Sequence, residues 1–362
     1  MALALYAPGL GYYAGQRPKF GLLPPSPQSP QGSDFVTAPE LSPLFGATLA
    51  VQVADALAAS GTAEVWEFGA GSGALARQLL AGLAGQPGAP RRYVIVELSA
   101  SLRERQRAAL AEVMAAGAVR VEWADQLPEC IEGVVIGNEV LDAMPVKLLA
   151  RQAGVWRERG VRVEVGAGVG MGADPAAATA PITLAWEDRP TEARPPVEPE
   201  GAHDYLTEIH PQALAFVRTL ADRLVRGVAL FIDYGFPEHE YYHPQRSQGT
   251  LMCHHQHRAD GDPLVEVGEK DITAHVDFTG LALAAQDAGL AVAGYTSQAR
   301  FLINCGIGAR LDAVDLPQRA MAQRLIHEHE MGELFKVLAL ARGTPAHWVP
   351  VGFAHGDRTH RL

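Results

Sequence analysis

Residues 63–84, AEVWEFGAGSGALARQLLAGLA, set a short apolar run directly before E-F-G-A-G-S-G and an amphipathic stretch directly after it. That order commits the chain to a strand that stops in a tight turn and re-enters as a helix, the opening unit of an open α/β sheet. Gly69, Gly71 and Gly73 let the backbone turn sharply, approach a ligand closely and present amides at a helix N-terminus, which favours an anionic group. RRYVIVELSASLRERQRAALAEV at 91–113 repeats the strand-to-helix order, and VRVEWAD at 119–125 alternates as a third strand should. GVVIGNE at 133–139 and GVALFIDYG at 227–235 read as short buried strands. Strands alternating with helices predict an α/β fold, a doubly wound Rossmann-like parallel sheet covered on both faces.

The remaining segments attach to that sheet. LSPLFGATLAVQVADALAAS at 41–60 carries Leu44, Phe45, Leu49, Val53 and Leu57 at helical spacing and ends at Gly61. Prolines across 24–32 exclude a helix or a central strand and predict an exposed loop. The chain then divides into an N-terminal cofactor-covering segment (1–45), a core (46–150) and a surface insertion (151–200) that opens with a hairpin in VWRERGVRVEV. The core resumes at 201–235, a polar, His- and Gly-rich lid or substrate segment follows at 236–276, and the core ends at 277–342. Residues 343–362, with His347, His355 and His360, read as a disordered tail. The lid expectation rests on position: the segment begins straight after FIDYG, at the carboxyl end of a parallel strand, where loops build binding sites.

Charge narrows the partners. Against 41 acidic residues stand 30 basic ones, a net charge of -11, which disfavours a broad grip on nucleic acid or anionic lipid and suits a cationic substrate. Cys130, Cys253 and Cys305 are scattered, as in a reducing compartment. No apolar run reaches the roughly 18 residues of a spanning helix, so no membrane insertion is expected.

The glycine turn alone fits two ligands, because Gly69, Gly71 and Ala74 also satisfy the dinucleotide fingerprint G-x-G-x-x-A. Glu67 separates them: its carboxylate would repel a pyrophosphate, whereas S-adenosylmethionine offers it an ammonium and a sulfonium. A purely structural turn is the remaining alternative. Glu97, at the end of YVIVE, can accept from both ribose hydroxyls of either cofactor. Asp125, after the third strand, is either an acceptor for an adenine amine or a solvated turn residue. The fourth strand ends in G-N-E-V-L-D-A-M-P at 137–145, which brings Asn138, Glu139 and Asp142 to the strand mouth. Two acids three apart, read as the first turn of a helix, share one face; the bland alternative is favourable helix N-terminal charge. M-C-H-H-Q-H at 252–257 bunches its thiol and imidazoles rather than spacing them, so a polar loop is expected and no metal site.

Taken in order, Y-A-P-G-L-G-Y-Y near the start, S-D-F-V-T-A-P-E-L-S-P-L-F-G at 33–46, E-F-G-A-G-S-G, V-E-L-S, G-N-E-V-L-D-A-M-P-V, F-I-D-Y-G, D-I-T-A-H-V-D-F and L-F-K-V-L closely resemble one family. It is the class I methyltransferases known as MidA, the mitochondrial complex I assembly-factor methyltransferases and their bacterial relatives. The resemblance spans nearly the whole chain. It implies S-adenosyl-L-methionine as cofactor and protein arginine methylation, with symmetric dimethylation of an arginine on the 49-kDa subunit of respiratory complex I. Carried over by position, Glu67, Gly69, Gly71, Gly73 and Glu97 hold the cofactor, and Thr37, Pro39 and Glu40 cover it.

A guanidinium must be fixed, have a lone pair directed and give up a proton, which paired acids can do. Glu139 and Asp142 are the candidates, with Asn138 orienting and Asp233 and Tyr234 lining the same mouth. Two departures from the family are a shortened first helix and the proline-rich enlargement before S-D-F. With no organellar targeting sequence ahead of Tyr6, a bacterial cytoplasmic member is expected, and a homodimer is left open. Two other functions stay open: an assembly module that retains the cofactor as a structural ligand, and methylation of a small molecule. The intact glycine motif favours an enzyme over the first, and the acidic mouth favours arginine over a neutral hydroxyl.

Overall fold

A computed structural model describes residues 1–15, 19–23, 32–86, 88–165 and 182–362. The run before the glycines is β1 (Glu64–Phe68), followed by β2 (Arg92–Val96), β3 (Arg120–Ala124), β4 (Ile131–Asn138), β5 (Leu224–Phe236), β6 (Ala291–Ser297) and β7 (Phe335–Arg342). They lie in the order β6-β7-β5-β4-β1-β2-β3. β1 pairs in parallel with β2 on one side and with β4 on the other, and β5 extends the parallel set. The chain therefore leaves β1 in opposite directions on its two sides, and this switch point opens a crevice at the carboxyl ends of the strands. β7 departs from the all-parallel expectation, running antiparallel to both β5 and β6.

Alternate residues of the central strands face opposite layers. Val65, Val134 and Leu230 pack against Leu49, Val53 and Leu57 of α1 (Leu44–Ser60) and Leu75, Leu79 and Leu83 of α2 (Ala74–Leu83). Trp66, Val135 and Phe231 pack instead against Val217 and Leu220 of α4 (Pro211–Arg223) and Leu281 of α5 (Phe278–Asp287), while α3 (Ala100–Ala109) follows β2. α1 stops at Gly61, whose φ of 63° is the left-handed cap that glycine provides.

The described residues of the insertion and its flanks form regular strands. Lys147–Gln152, Val155–Val165, Ile182–Pro190 and Tyr205–Ile209 make a separate four-stranded antiparallel sheet. VWRERGVRVEV is one continuous strand and not a hairpin, with Gly160 opposite Glu187 in mid-strand. The reversal falls earlier, at Ala153 and Gly154, whose φ of 47° and 78° suit a two-residue hairpin turn. Within residues 236–276, Arg258–Asp260, Met252–His255 and Asp271–Thr273 form a small sheet, and Cys253 and Ile272 pack with Ala4, Leu5 and Tyr12 near the start of the chain.

Residues 343–362 are not a loose tail. Phe353 is buried against the Phe301 ring, 5.5 Å between centroids, and Gly352 N–H donates to Gln52 Oε1 at 2.7 Å. Trp348 Nε1 donates to Asp55 Oδ2 at 3.2 Å, so two aromatics anchor a stretch whose polar composition hid them. Residues 24–31, most of the expected proline-rich loop, and the Gly-, Ala- and Pro-rich 166–181 lie outside the described residues. Among the described residues no helix is long and apolar enough to cross a membrane.

Candidate active site

At the carboxyl end of β1 lies a narrow cleft of about 40 Å³, lined by Glu67, Gly69, Gly71, Thr37, Pro39 and Glu40 among others. Gly69, Gly71 and Gly73 sit at φ of 64°, 52° and 86°, a left-handed path that any side chain would strain. A Cβ on Gly69 would also meet Val140 Cγ2 at 2.9 Å.

Glu67 is 1% exposed, and its Oε2 accepts from the Tyr93 hydroxyl at 2.6 Å. Burial raises its carboxyl to about 7, Tyr93 pulls it down and Glu97 pushes it further up, so a nearby cation would be welcome. Glu97 accepts from Ser99 N–H at 2.8 Å and from Gln106 Nε2 at 3.2 Å, and burial raises it too. The same Gln106 Nε2 reaches the Gly71 carbonyl at 3.0 Å, while Trp123 Nε1 donates to Gln106 Oε1 at 2.9 Å. Gln106 thus ties the acid of β2 to the glycine turn. Asp125 is exposed just beyond β3 and does not line the cleft.

The T-A-P-E segment forms the opposite wall and is fastened at several points. Glu40 accepts from the Ser72 hydroxyl, the Pro39 carbonyl accepts from Gln78 Nε2 at 2.7 Å, and Ala38 N–H donates to Glu139 Oε1 at 3.3 Å.

A larger cleft of about 610 Å³ lies alongside, lined by Glu139, Asp142, Asp271 and Tyr234 among others. The two clefts abut where consecutive residues line one each: Asn138 and Glu139, Thr37 and Val36. Residues 139–145 are a turn rather than the expected helix, and Glu139 stands at φ 53°. The cause is Asp233, whose Oδ2 accepts from the amides of Val140 (3.2 Å), Leu141 (2.9 Å) and Asp142 (3.3 Å). Its Oδ1 accepts from Tyr234 N–H at 3.0 Å, and the residue is fully buried. Asp233 therefore anchors the turn and does not line the mouth, which corrects the sequence-based expectation. Tyr234 does line it.

Glu139 Oε1 also accepts from Asn138 Nδ2 at 2.9 Å. Asn138 Oδ1 and Asp142 Oδ1 are buried with no hydrogen-bond partner among the described residues. Burial, then Asp142, raises Glu139 to about 8. Burial raises Asp142 to about 6, with the Tyr234 hydroxyl opposing, and burial followed by Asp142 raises Asp271 to about 8. Carboxyls so placed with oxygens to spare are matched by a cation. Asp271, Tyr93 and Gln106 escaped sequence reading, because their importance comes from tertiary neighbours.

Residues 48–296 match the family model described as "Putative S-adenosyl-L-methionine-dependent methyltransferase". The chain belongs to this methyltransferase family. It is similar to a Burkholderia thailandensis protein solved with S-adenosyl-homocysteine bound, at 50% identity and a TM-score of 0.88, covering 100% of this chain and 90% of that one. A native crystal structure from the same organism gives 49% identity and a TM-score of 0.84 over the same shares. Among curated relatives, the Drosophila melanogaster "Protein arginine methyltransferase NDUFAF7 homolog, mitochondrial" is 28% identical over 96% of this chain and 81% of its own length. The Mus musculus protein arginine methyltransferase NDUFAF7 is 29% identical over 85% of this chain and 74% of its own length. The chain is thus an S-adenosylmethionine-dependent methyltransferase, and the dinucleotide alternative falls away.

Proposed function

We propose that this methyltransferase acts on the guanidinium of a protein arginine. The observation that carries the reading is the acid-lined cleft of Glu139, Asp142 and Asp271 abutting the cofactor cleft at Asn138–Glu139. The relatives named protein arginine methyltransferases support it.

S-adenosylmethionine supplies an electrophilic methyl on its sulfonium. Around it, Glu67 faces the ammonium, Glu97 accepts from the ribose hydroxyls, and Thr37, Pro39 and Glu40 close the cleft over the glycine turn. On the substrate side Glu139 and Asp142 hold the planar fork, Asn138 orients Glu139 through the 2.9 Å bond, and Tyr234 lines the wall. Methylation releases one proton, and Glu139, which burial raises to about 8, is suited to take it once a bound guanidinium favours its ionised form.

The 49-kDa subunit homologue of complex I, symmetrically dimethylated, is the target this reading adopts, in a bacterial cytoplasm. Peptide mass mapping of that subunit from cells with and without the protein tests it. A dimethylarginine found only with the protein is expected. An unmodified arginine in both overturns the target, and a methyl on another residue type overturns the guanidinium reading.

A further inference from the structure

The Y-A-P-G-L-G-Y-Y motif packs beside the larger cleft. Tyr6 donates to the Ala143 carbonyl at 2.8 Å, Tyr13 donates to Asp271 Oδ1 at 2.9 Å, and the two rings stack 5.6 Å apart. Asp271 is 2% exposed on the last strand of the lid sheet, yet it lines the larger cleft together with Glu139 and Asp142.

Among the described residues no cationic side chain pairs with these three carboxyls. The cation lining the cleft, Arg246, stacks 4.0 Å over the Phe236 ring and donates to the Glu240 carbonyl at 3.2 Å. His275 is pushed down to about 4 by burial and by Arg246 and Lys336, so it is neutral at pH 7. Lys336 itself donates to the Glu333 carbonyl. Asp142, 6% exposed, meanwhile keeps Oδ1 without a partner among the described residues. A buried acceptor left open beside further carboxyls is costly unless a cationic donor arrives.

We propose that Asp271 is a substrate-gripping carboxylate and Tyr13 its positioning residue, so that the target guanidinium is held between the 139–142 turn of the core and the lid strand. This rests on the arginine reading. A guanidinium presents five donors in a rigid plane and is best held from two edges, which one short turn cannot reach. The lid strand supplies the second wall, and the N-terminal segment holds that wall in place, because Ile272 and Cys253 pack on Leu5 and Tyr12. The tyrosine motif thereby gains a role in substrate selection.

The test uses the full chain saturated with S-adenosylhomocysteine and titrated by calorimetry with N-acetyl-arginine amide or with its neutral citrulline counterpart. Wild type is expected to bind the first and not the second. Asp271→Asn should weaken arginine-amide binding about ten- to 100-fold, the loss of a charge-assisted contact, with S-adenosylhomocysteine affinity unchanged. Tyr13→Phe should weaken it by a smaller factor, and should add nothing in the Asp271→Asn background, since it acts through that residue. Arginine-amide binding by Asp271→Asn equal to wild type overturns the assignment of Asp271 while leaving the arginine reading intact. Additive losses in the double variant overturn the role of Tyr13. A wild type that treats both amides alike removes the arginine reading and this proposal with it.

Discussion

Tyr93→Phe deletes one hydroxyl and asks whether Glu67 meets the cofactor's ammonium as a carboxylate. Tyr93 and Glu67 are 0% and 1% exposed, and the bond between them is 2.6 Å, short and charge-assisted. Hydrogen bonds to charged groups contribute about 1.5–3 kcal/mol, and each pKa unit corresponds to about 1.4 kcal/mol. The substitution should therefore lift Glu67 by roughly one to two units above its value of about 7. At about pH 7.5 the ionised fraction would fall from about three-quarters to between about one-quarter and one-thirtieth, and affinity about three- to 25-fold. The sign is definite. Wild-type affinity for S-adenosylhomocysteine should strengthen as pH rises through about 7, and the midpoint in the variant should move upward. An α-amine titrates near 8, so the comparison belongs between about pH 6 and pH 7.5. Calorimetry across that window measures it, with circular dichroism as the control for folding. Superimposable pH profiles for the two proteins would refute the pairing of Glu67 with the ammonium.

Three further outcomes follow from the same geometry. Gly71→Val puts a β-branched residue at φ 52° with its Cβ 3.4 Å from the Phe20 ring, so cofactor binding should fall below detection in a folded protein; unchanged affinity by calorimetry would contradict the cleft assignment. Glu97→Ala removes the acceptor that Ser99 and Gln106 hold in place, and affinity should drop by about one to two orders of magnitude, whereas an unchanged constant would place the ribose elsewhere. Glu139, Asp142 and Asp271 titrate higher folded than unfolded, so their stability contribution is complete below about pH 4 and is lost as pH rises through about 6 to 8. Thermal melts of the ligand-free protein should show Asp271→Asn flattening that decline; an identical slope in the variant would mean that Asp271 is not held protonated.

The sheet was legible because its signals are local. E-F-G-A-G-S-G fixes a strand end, a left-handed turn and a helix start within a few residues, and the buried strands announce themselves by β-branched runs. What could not be read was set by distant partners. The acidic stretch after β4 looks like a helix start, but Asp233 of β5 takes three of its amides and holds a turn instead. That same arrangement removes Asp233 from the mouth. Asp271 shares a cleft with Glu139 and Asp142 only because the strand Asp271–Thr273 folds back under Tyr13, and no periodicity marks that placement. Gln106 is similar: on α3 it looks like an ordinary polar helix residue, yet it is fully buried and bonds to Gly71, Glu97 and Trp123.

One assay tests directly whether acids of the 139–142 turn present a guanidinium to the methyl donor. Purified wild type, Glu139→Gln and Asp142→Asn should each be incubated with radiolabelled S-adenosylmethionine and protein extract from cells lacking the enzyme, then the products hydrolysed and separated by amino-acid analysis. Label in methylarginine is expected for wild type and a loss of about 100-fold or more for both variants, with S-adenosylhomocysteine affinity retained. Full activity in both variants, or label recovered in any residue other than arginine, would contradict it.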